Sequence, residues 1–147
     1  MGNCAGKSRR SPDNGGVNLD RALADEMFAH AKAELPNEAC GILAGSAGKA
    51  VHFFPAENAE HSPTRYVVEP KDQLRILNEL HQNNWDLLGI FHSHTHTQAY
   101  PSSTDVSLAA NWPDAYYLIA SLQEEPPHLR AYRILDGQVT EEEISYS

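Results

Sequence analysis

The chain has 147 residues, 41% of them hydrophobic and 21% charged, a balance that suits a soluble globular protein of one domain. A net charge of −9 and a pI of about 5.2 argue against nucleic acid and against an anionic membrane, both of which reward basic patches. No apolar run approaches the ~20 residues needed to span a bilayer, the N-terminus lacks a signal-type apolar stretch, and Cys4 and Cys40 are too few for a disulfide framework, so a cytoplasmic protein with free thiols is expected.

Residues 1–16 are polar, basic and glycine-rich, and are expected to be a disordered tail ahead of a single domain over 17–147. Gly2 with Gly6-Lys7-Ser8 imitates a phosphate-binding loop, but the spacing is one residue short and no strand precedes it. Met1-Gly2 suggests myristoylation, but position 6 is Gly where Ser or Thr is needed. From Asp20, a capping residue, Leu23, Met27, Phe28 and Ala31 recur at helical spacing and predict a helix that ends before Pro36. His30 is read as a flank residue of that helix.

Glu38 precedes an apolar strand, Cys40-Gly41-Ile42-Leu43-Ala44-Gly45, in which Cys40 reads as a small buried residue. Ser46 to Lys49 is a turn, and Ala50 to Phe54 the returning strand of a hairpin, with His52 on its polar face. Glu57 to Pro63 is a loop, and Arg65 to Glu69 a short strand. Pro70 opens a helix through Leu74, Ile76, Leu77 and Leu80 to about Asn83. After the central stretch discussed next, Val106 to Ala110 continue a helix, Ala115 to Ala120 form a buried strand, and Leu129 to Leu135 with Val139 to Ile144 form a hairpin turning at Asp136-Gly137.

The informative stretch runs from Leu87 to Asp105. Leu87-Leu88-Gly89-Ile90 reads as a buried strand that ends in Phe91-His92-Ser93-His94. Strand residues i and i+2 share a face, so the His92 and His94 imidazoles can reach one point. Ser102-Ser103-Thr104-Asp105 then starts a helix and sets Asp105 in its first turn. Two histidines and a carboxylate are the usual protein ligands of a catalytic zinc, with one position left open. A lone His-x-His is more often structural than metal-binding, and Ser102 with Asp105 also makes a plain helix cap. The two roles are compatible, because a cap aims the carboxylate. His96 is two residues beyond His94, and is expected to stay in the loop and point away.

The full spacing, His-x-His, seven residues, Ser-x-x-Asp, resembles the JAMM (MPN+) metalloprotease family, and Asn37-Glu38-Ala39-Cys40-Gly41 resembles that family's upstream glutamate segment. The likeness runs from about Asp20 to Gly137, with Thr95 standing where many members have Pro. It implies an α/β domain with a mixed central β-sheet and about three helices, of cytidine-deaminase-like architecture; the His-x-Glu and Pro-Cys-x-x-Cys of a true deaminase do not occur. It implies one Zn²⁺ per chain held by His92, His94 and Asp105, with Glu38 as the proton-transferring carboxylate and Ser102 as hydrogen-bond donor to the developing oxyanion. The implied reaction is hydrolysis of an amide or isopeptide bond.

The small size and the segments Asn58-Ala59-Glu60, Ser62-Pro63 and Tyr100-Pro101-Ser102 resemble the bacterial branch of the family that acts on ubiquitin-like sulfur-carrier proteins. That branch implies a partner with a C-terminal Gly-Gly, from whose amide cysteine is released in cysteine biosynthesis, the extended tail pairing with a sheet edge. Two other readings remain beside it: a general isopeptidase that removes ubiquitin-like tags, and a non-catalytic MPN scaffold. The residues that grip a substrate tail, and the oligomeric state, are not assigned.

Overall fold

The computed structural model describes residues 16–147. They form β1 (Gly16–Leu19), α1 (Arg21–Ala33), β2 (Cys40–Ser46), β3 (Lys49–Ala56), α2 (Pro70–Asn83), β4 (Asp86–His94), α3 (Ser103–Leu108) with a 3₁₀ turn at Ala109–Asn111, β5 (Tyr116–Ser121), β6 (His128–Leu135) and β7 (Gln138–Tyr146). The strands follow the order β1-β3-β2-β4-β5-β6-β7. β4 lies in the middle, antiparallel to β2 and parallel to β5.

Three helices and a mixed sheet agree with expectation; the sheet in addition closes into a seven-stranded barrel, a closure the expected mixed central sheet did not include. The closing element is β1, which pairs in parallel with β7 from Gly16↔Glu143 to Leu19↔Tyr146 and meets β3 at the single pair Asn18↔Lys49. Val17 and Leu19 are buried on either side of an exposed Asn18, the alternation of a half-buried strand. Four residues behind a glycine-rich segment are too few to register as a strand in the sequence. The expected tail lies outside the described residues except for Gly16, which begins β1.

Two further expectations change. Asp20 occupies the N-cap position of α1, but its carboxylate accepts a hydrogen bond from the Ser147 hydroxyl at 2.6 Å instead of capping the helix. Residues 65–69 form no strand; only an isolated bridge, Asn58↔Val68, remains. The Asn58 side chain takes the Arg65 carbonyl and the Val67 amide, groups that a ladder would have used.

Each face of the sheet is covered. Leu23, Met27 and Ala31 of α1 pack with Leu43, Phe53, Phe91 and Leu118 on one side. Ile76 and Leu80 of α2 pack with Ile42, Phe54, Ile90, Tyr117 and Ile119 on the other. α1 and α2 leave the C-terminal end of β4 to the loop that follows it and to the first turn of α3, and the histidines stand there.

Candidate metal centre

β4 is buried over its last six residues. Its pleat sends Phe91 into the core beneath α1 and turns His92 and His94 with Ile90 to the opposite face. In register, His92 lies beside Cys40 of β2 and Ile119 of β5, and His94 beside Ser121. The strand ends at His94, and the chain returns through a loop to Ser102, the N-cap of α3. A capping box forms there: Ser102 Oγ accepts from the Asp105 amide at 3.1 Å, and Asp105 Oδ2 accepts from the Ser102 amide at 2.9 Å. Cap and carboxylate aim are therefore one arrangement.

His92, His94 and Asp105 come together and are all buried. Asp105 Oδ2 lies 3.0 Å from His92 Nε2 and 3.1 Å from His94 Nε2, and the two Nε2 atoms are 3.3 Å apart. The edges of a tetrahedron with metal–ligand bonds of 2.0–2.1 Å are about 3.3 Å, so the triangle has the size of one face of a zinc site. His94 Nδ1 donates to the Gln98 carbonyl at 2.8 Å, which puts the proton of a neutral ring there and leaves Nε2 a bare lone pair aimed at the triangle. That lone pair and the Asp105 carboxylate oxygen, 3.1 Å apart, repel unless a cation or a proton lies between them. The donor set therefore fits a divalent metal.

Electrostatics support the same reading. Burial alone pushes the Asp105 carboxyl up, but in the metal-free site, where a proton takes the place of the metal, His92, His94 and the Ser102 amide outweigh it and hold the group well below the usual carboxylate range. Burial pushes the His92 imidazole down. Tyr66 stacks on the His92 ring, with centroids 4.3 Å apart and planes 16° apart, and orients a ring whose buried Nδ1 has no hydrogen-bond partner.

Glu38 is 4% exposed and its Oε1 has no hydrogen-bond partner. Burial raises its carboxyl from the ordinary 4.5 to about 8, opposed by His94 and assisted by Asp105. A carboxyl that binds its proton more tightly when folded favours the folded state at low pH. That advantage is lost as pH rises from about 4.5 through about 8. The metal-free Glu38→Gln variant, which cannot ionise, is therefore expected to gain melting temperature on the metal-free wild type as pH is raised across this window. Parallel melting curves in chelator from pH 5 to pH 9 would show that Glu38 ionises freely.

Ser102 is exposed; its Oγ accepts from Asp105, which leaves its O–H proton free to donate outward. His96 is exposed and stands apart from the ligand group, as expected. Cys40 is buried, and burial lifts its thiol to about 12, far from the pKa of a nucleophile. Tyr66, Gln98, Asn58 and Thr95 were not singled out as site residues in the sequence. Only Asn58 carried a local signal, an Asx turn in which its Oδ1 accepts from the Glu60 amide at 3.0 Å.

Comparison with known proteins agrees with the geometry. Residues 20–135 match the family model described as prokaryotic homologs of the JAB domain. A Mycobacterium tuberculosis CysO-cysteine peptidase is 44% identical over 126 residues, 84% of this chain and 86% of the relative. A Thermus thermophilus protein described as a probable TtuB-protein conjugate cleaving protease is 32% identical over 121 residues, 82% of this chain and 77% of the relative. Among solved structures, a Desulfitobacterium hafniense protein determined in solution superposes with a TM-score of 0.81 at 38% identity, covering 89% of this chain and 92% of that one.

Proposed function

The chain belongs to the prokaryotic JAB-domain (JAMM/MPN) family of hydrolases acting on peptide bonds, and from that premise we propose that it is a zinc peptidase that cuts the amide after the C-terminal Gly-Gly of a ubiquitin-like sulfur-carrier protein and releases cysteine. The observation that carries the reading is the convergence of His92, His94 and Asp105 within 3.3 Å, coupled to a buried Glu38 whose carboxylate is unengaged. The likeness to a CysO-cysteine peptidase over most of both chains supports the substrate.

His92 and His94 through Nε2, and Asp105 through Oδ2, would hold one Zn²⁺. When bound, zinc supplies Lewis-acid polarisation of the scissile carbonyl and lowers the pKa of water. The chain's own residues do the rest. Gln98 fixes the His94 tautomer through its carbonyl, and Tyr66 fixes the tilt of the His92 ring. Glu38 accepts the proton of the attacking water and delivers it to the departing amine. Burial raises that carboxyl's affinity for a proton, which suits a group that takes one from water and passes it on. Ser102, its oxygen anchored by the Asp105 amide, directs its O–H toward the developing oxyanion. The extended Gly-Gly tail needs a strand edge to pair with; β3 beyond Lys49 is where β1 gives no registered partner.

A second reading, cleavage of isopeptides that join a carrier to protein lysines, is favoured by the Thermus relative. One assay separates them. Zinc-loaded protein is incubated with a carrier–cysteine conjugate or with a carrier joined to a lysine side chain, and the products are weighed by mass spectrometry. Release of cysteine with about one zinc per chain is the expected result. An intact cysteine conjugate beside a cleaved lysine conjugate would transfer the assignment to the isopeptidase.

A further inference from the structure

We propose that a strap of residues 58–67, organised by Asn58 and tied down by Thr95, positions Glu38 for proton transfer; the inference rests on the hydrolase reading above. Glu38 lies just beyond the ladder that joins β2 to β4. The last registered pair of that ladder is Cys40↔His92; beyond it the Ala39 amide donates to Ser93 Oγ at 2.8 Å and the Ala39 carbonyl accepts from the Ser93 amide at 3.0 Å. Glu38 therefore has no strand to hold it.

The strap provides both of its backbone bonds. The Glu38 amide donates to the Ser62 carbonyl at 2.8 Å, and the Glu38 carbonyl accepts from Asn58 Nδ2 at 3.0 Å. Asn58 is 2% exposed and uses its whole hydrogen-bonding capacity: Nδ2 also donates to the Arg65 carbonyl at 2.9 Å, and Oδ1 accepts from the amides of Glu60 and Val67 at 3.0 and 3.1 Å. A side chain that only closed its own turn would need none of its bonds to Glu38.

The second tie joins the strap to the metal-binding turn. Thr95, directly after His94 and 5% exposed, donates its hydroxyl to the Pro63 carbonyl at 3.2 Å. One strap thus touches the residue that carries the unengaged carboxylate and the residue that follows a metal ligand. The backbone of Glu38 is fixed from both sides while its Oε1 is left without a bond of its own. That is the arrangement expected of a group that must hold and release a proton at a fixed distance from the ligand triad. Asn58 and Thr95 touch no reacting atom; they act through Glu38.

The test is a pair of double-mutant cycles on zinc-loaded protein with the carrier–cysteine conjugate. Asn58→Asp turns an amide donor into an oxygen facing two carbonyls, and Thr95→Val removes one hydroxyl at nearly constant shape. The expected loss in kcat is up to about 10²-fold for Asn58→Asp and less for Thr95→Val. KM and zinc content are expected to hold, Thr95→Ser to restore the rate, and the Glu38 amide to exchange hydrogen faster in both variants. In a Glu38→Gln background neither substitution should lower the residual rate further, since the group they position is gone. Equal losses with and without Glu38, a rise in KM at constant kcat, or loss of zinc would overturn the inference. If Asn58→Asp fails to fold, the Thr95→Val cycle decides alone. An inactive wild type would sink the functional reading itself, whereas an active wild type with additive losses sinks only the strap.

Discussion

Glu38→Gln is expected to lower kcat by about 10²–10⁴-fold, the usual contribution of a positioned acid–base group, while KM and zinc content stay at wild-type values. The residue is buried at 4% exposure and its Oε1 bonds to nothing, so the amide replaces the carboxylate without breaking a side-chain contact. The backbone bonds to Ser62 and Asn58 do not depend on the side chain and persist. The loss therefore reads proton transfer and not misfolding. Steady-state kinetics beside elemental analysis make the measurement, and hydrolysis at the wild-type rate would remove Glu38 from the reaction.

Asp105→Asn is expected to abolish both zinc retention and turnover. Removing a hydrogen-bond partner of a ligand typically costs about 10–100-fold in metal affinity, and removing a ligand costs more. Asparagine keeps an oxygen for the Ser102 amide, so the cap of α3 survives; Asp105→Ala would add about 0.5–2 kcal/mol of cap loss and confuse the result. In the wild type one carboxylate oxygen balances two buried imidazoles at 3.0 and 3.1 Å. Without its charge the triangle keeps two neutral rings and no anion to hold a divalent ion. Elemental analysis after gentle purification is the readout, and near-stoichiometric zinc in the variant would exclude Asp105 as a ligand.

The clustering of the candidate ligand group was legible because each of its parts is local. The two-residue period of a strand puts His92 and His94 on one face, and the Ser102–Asp105 cap places a carboxylate in a first turn; neither needs knowledge of the fold. Glu38 was reached differently, through likeness to a family segment, since a glutamate at a strand entrance carries no signal of its own. The residues that were missed act across the chain. Tyr66 meets His92 only because residues 65–69 leave the sheet, and their run of β-prone side chains had suggested the reverse. Asn58 shows its Asx turn in sequence, but not the carbonyl of Glu38 that it also holds. Thr95 reads as a departure from a proline, and its bond to Pro63 becomes visible only when two loops lie side by side. The closure of the sheet hangs on four residues whose partners are at the far end of the chain.

That closure has a consequence for how the protein is made on the ribosome. All five candidate site residues, from Glu38 to Asp105, leave the exit tunnel before Tyr116–Ser121 of β5 does. Until then β4, the strand that carries both histidines, has β2 on one flank and an unpaired edge on the other. The last pairing, Gly16 with Glu143, waits until residue 143 has emerged. The nascent chain thus displays its apolar central strand, open on one side, until β5 emerges. Premature termination or a slowed β5 would leave that edge free to recruit another copy.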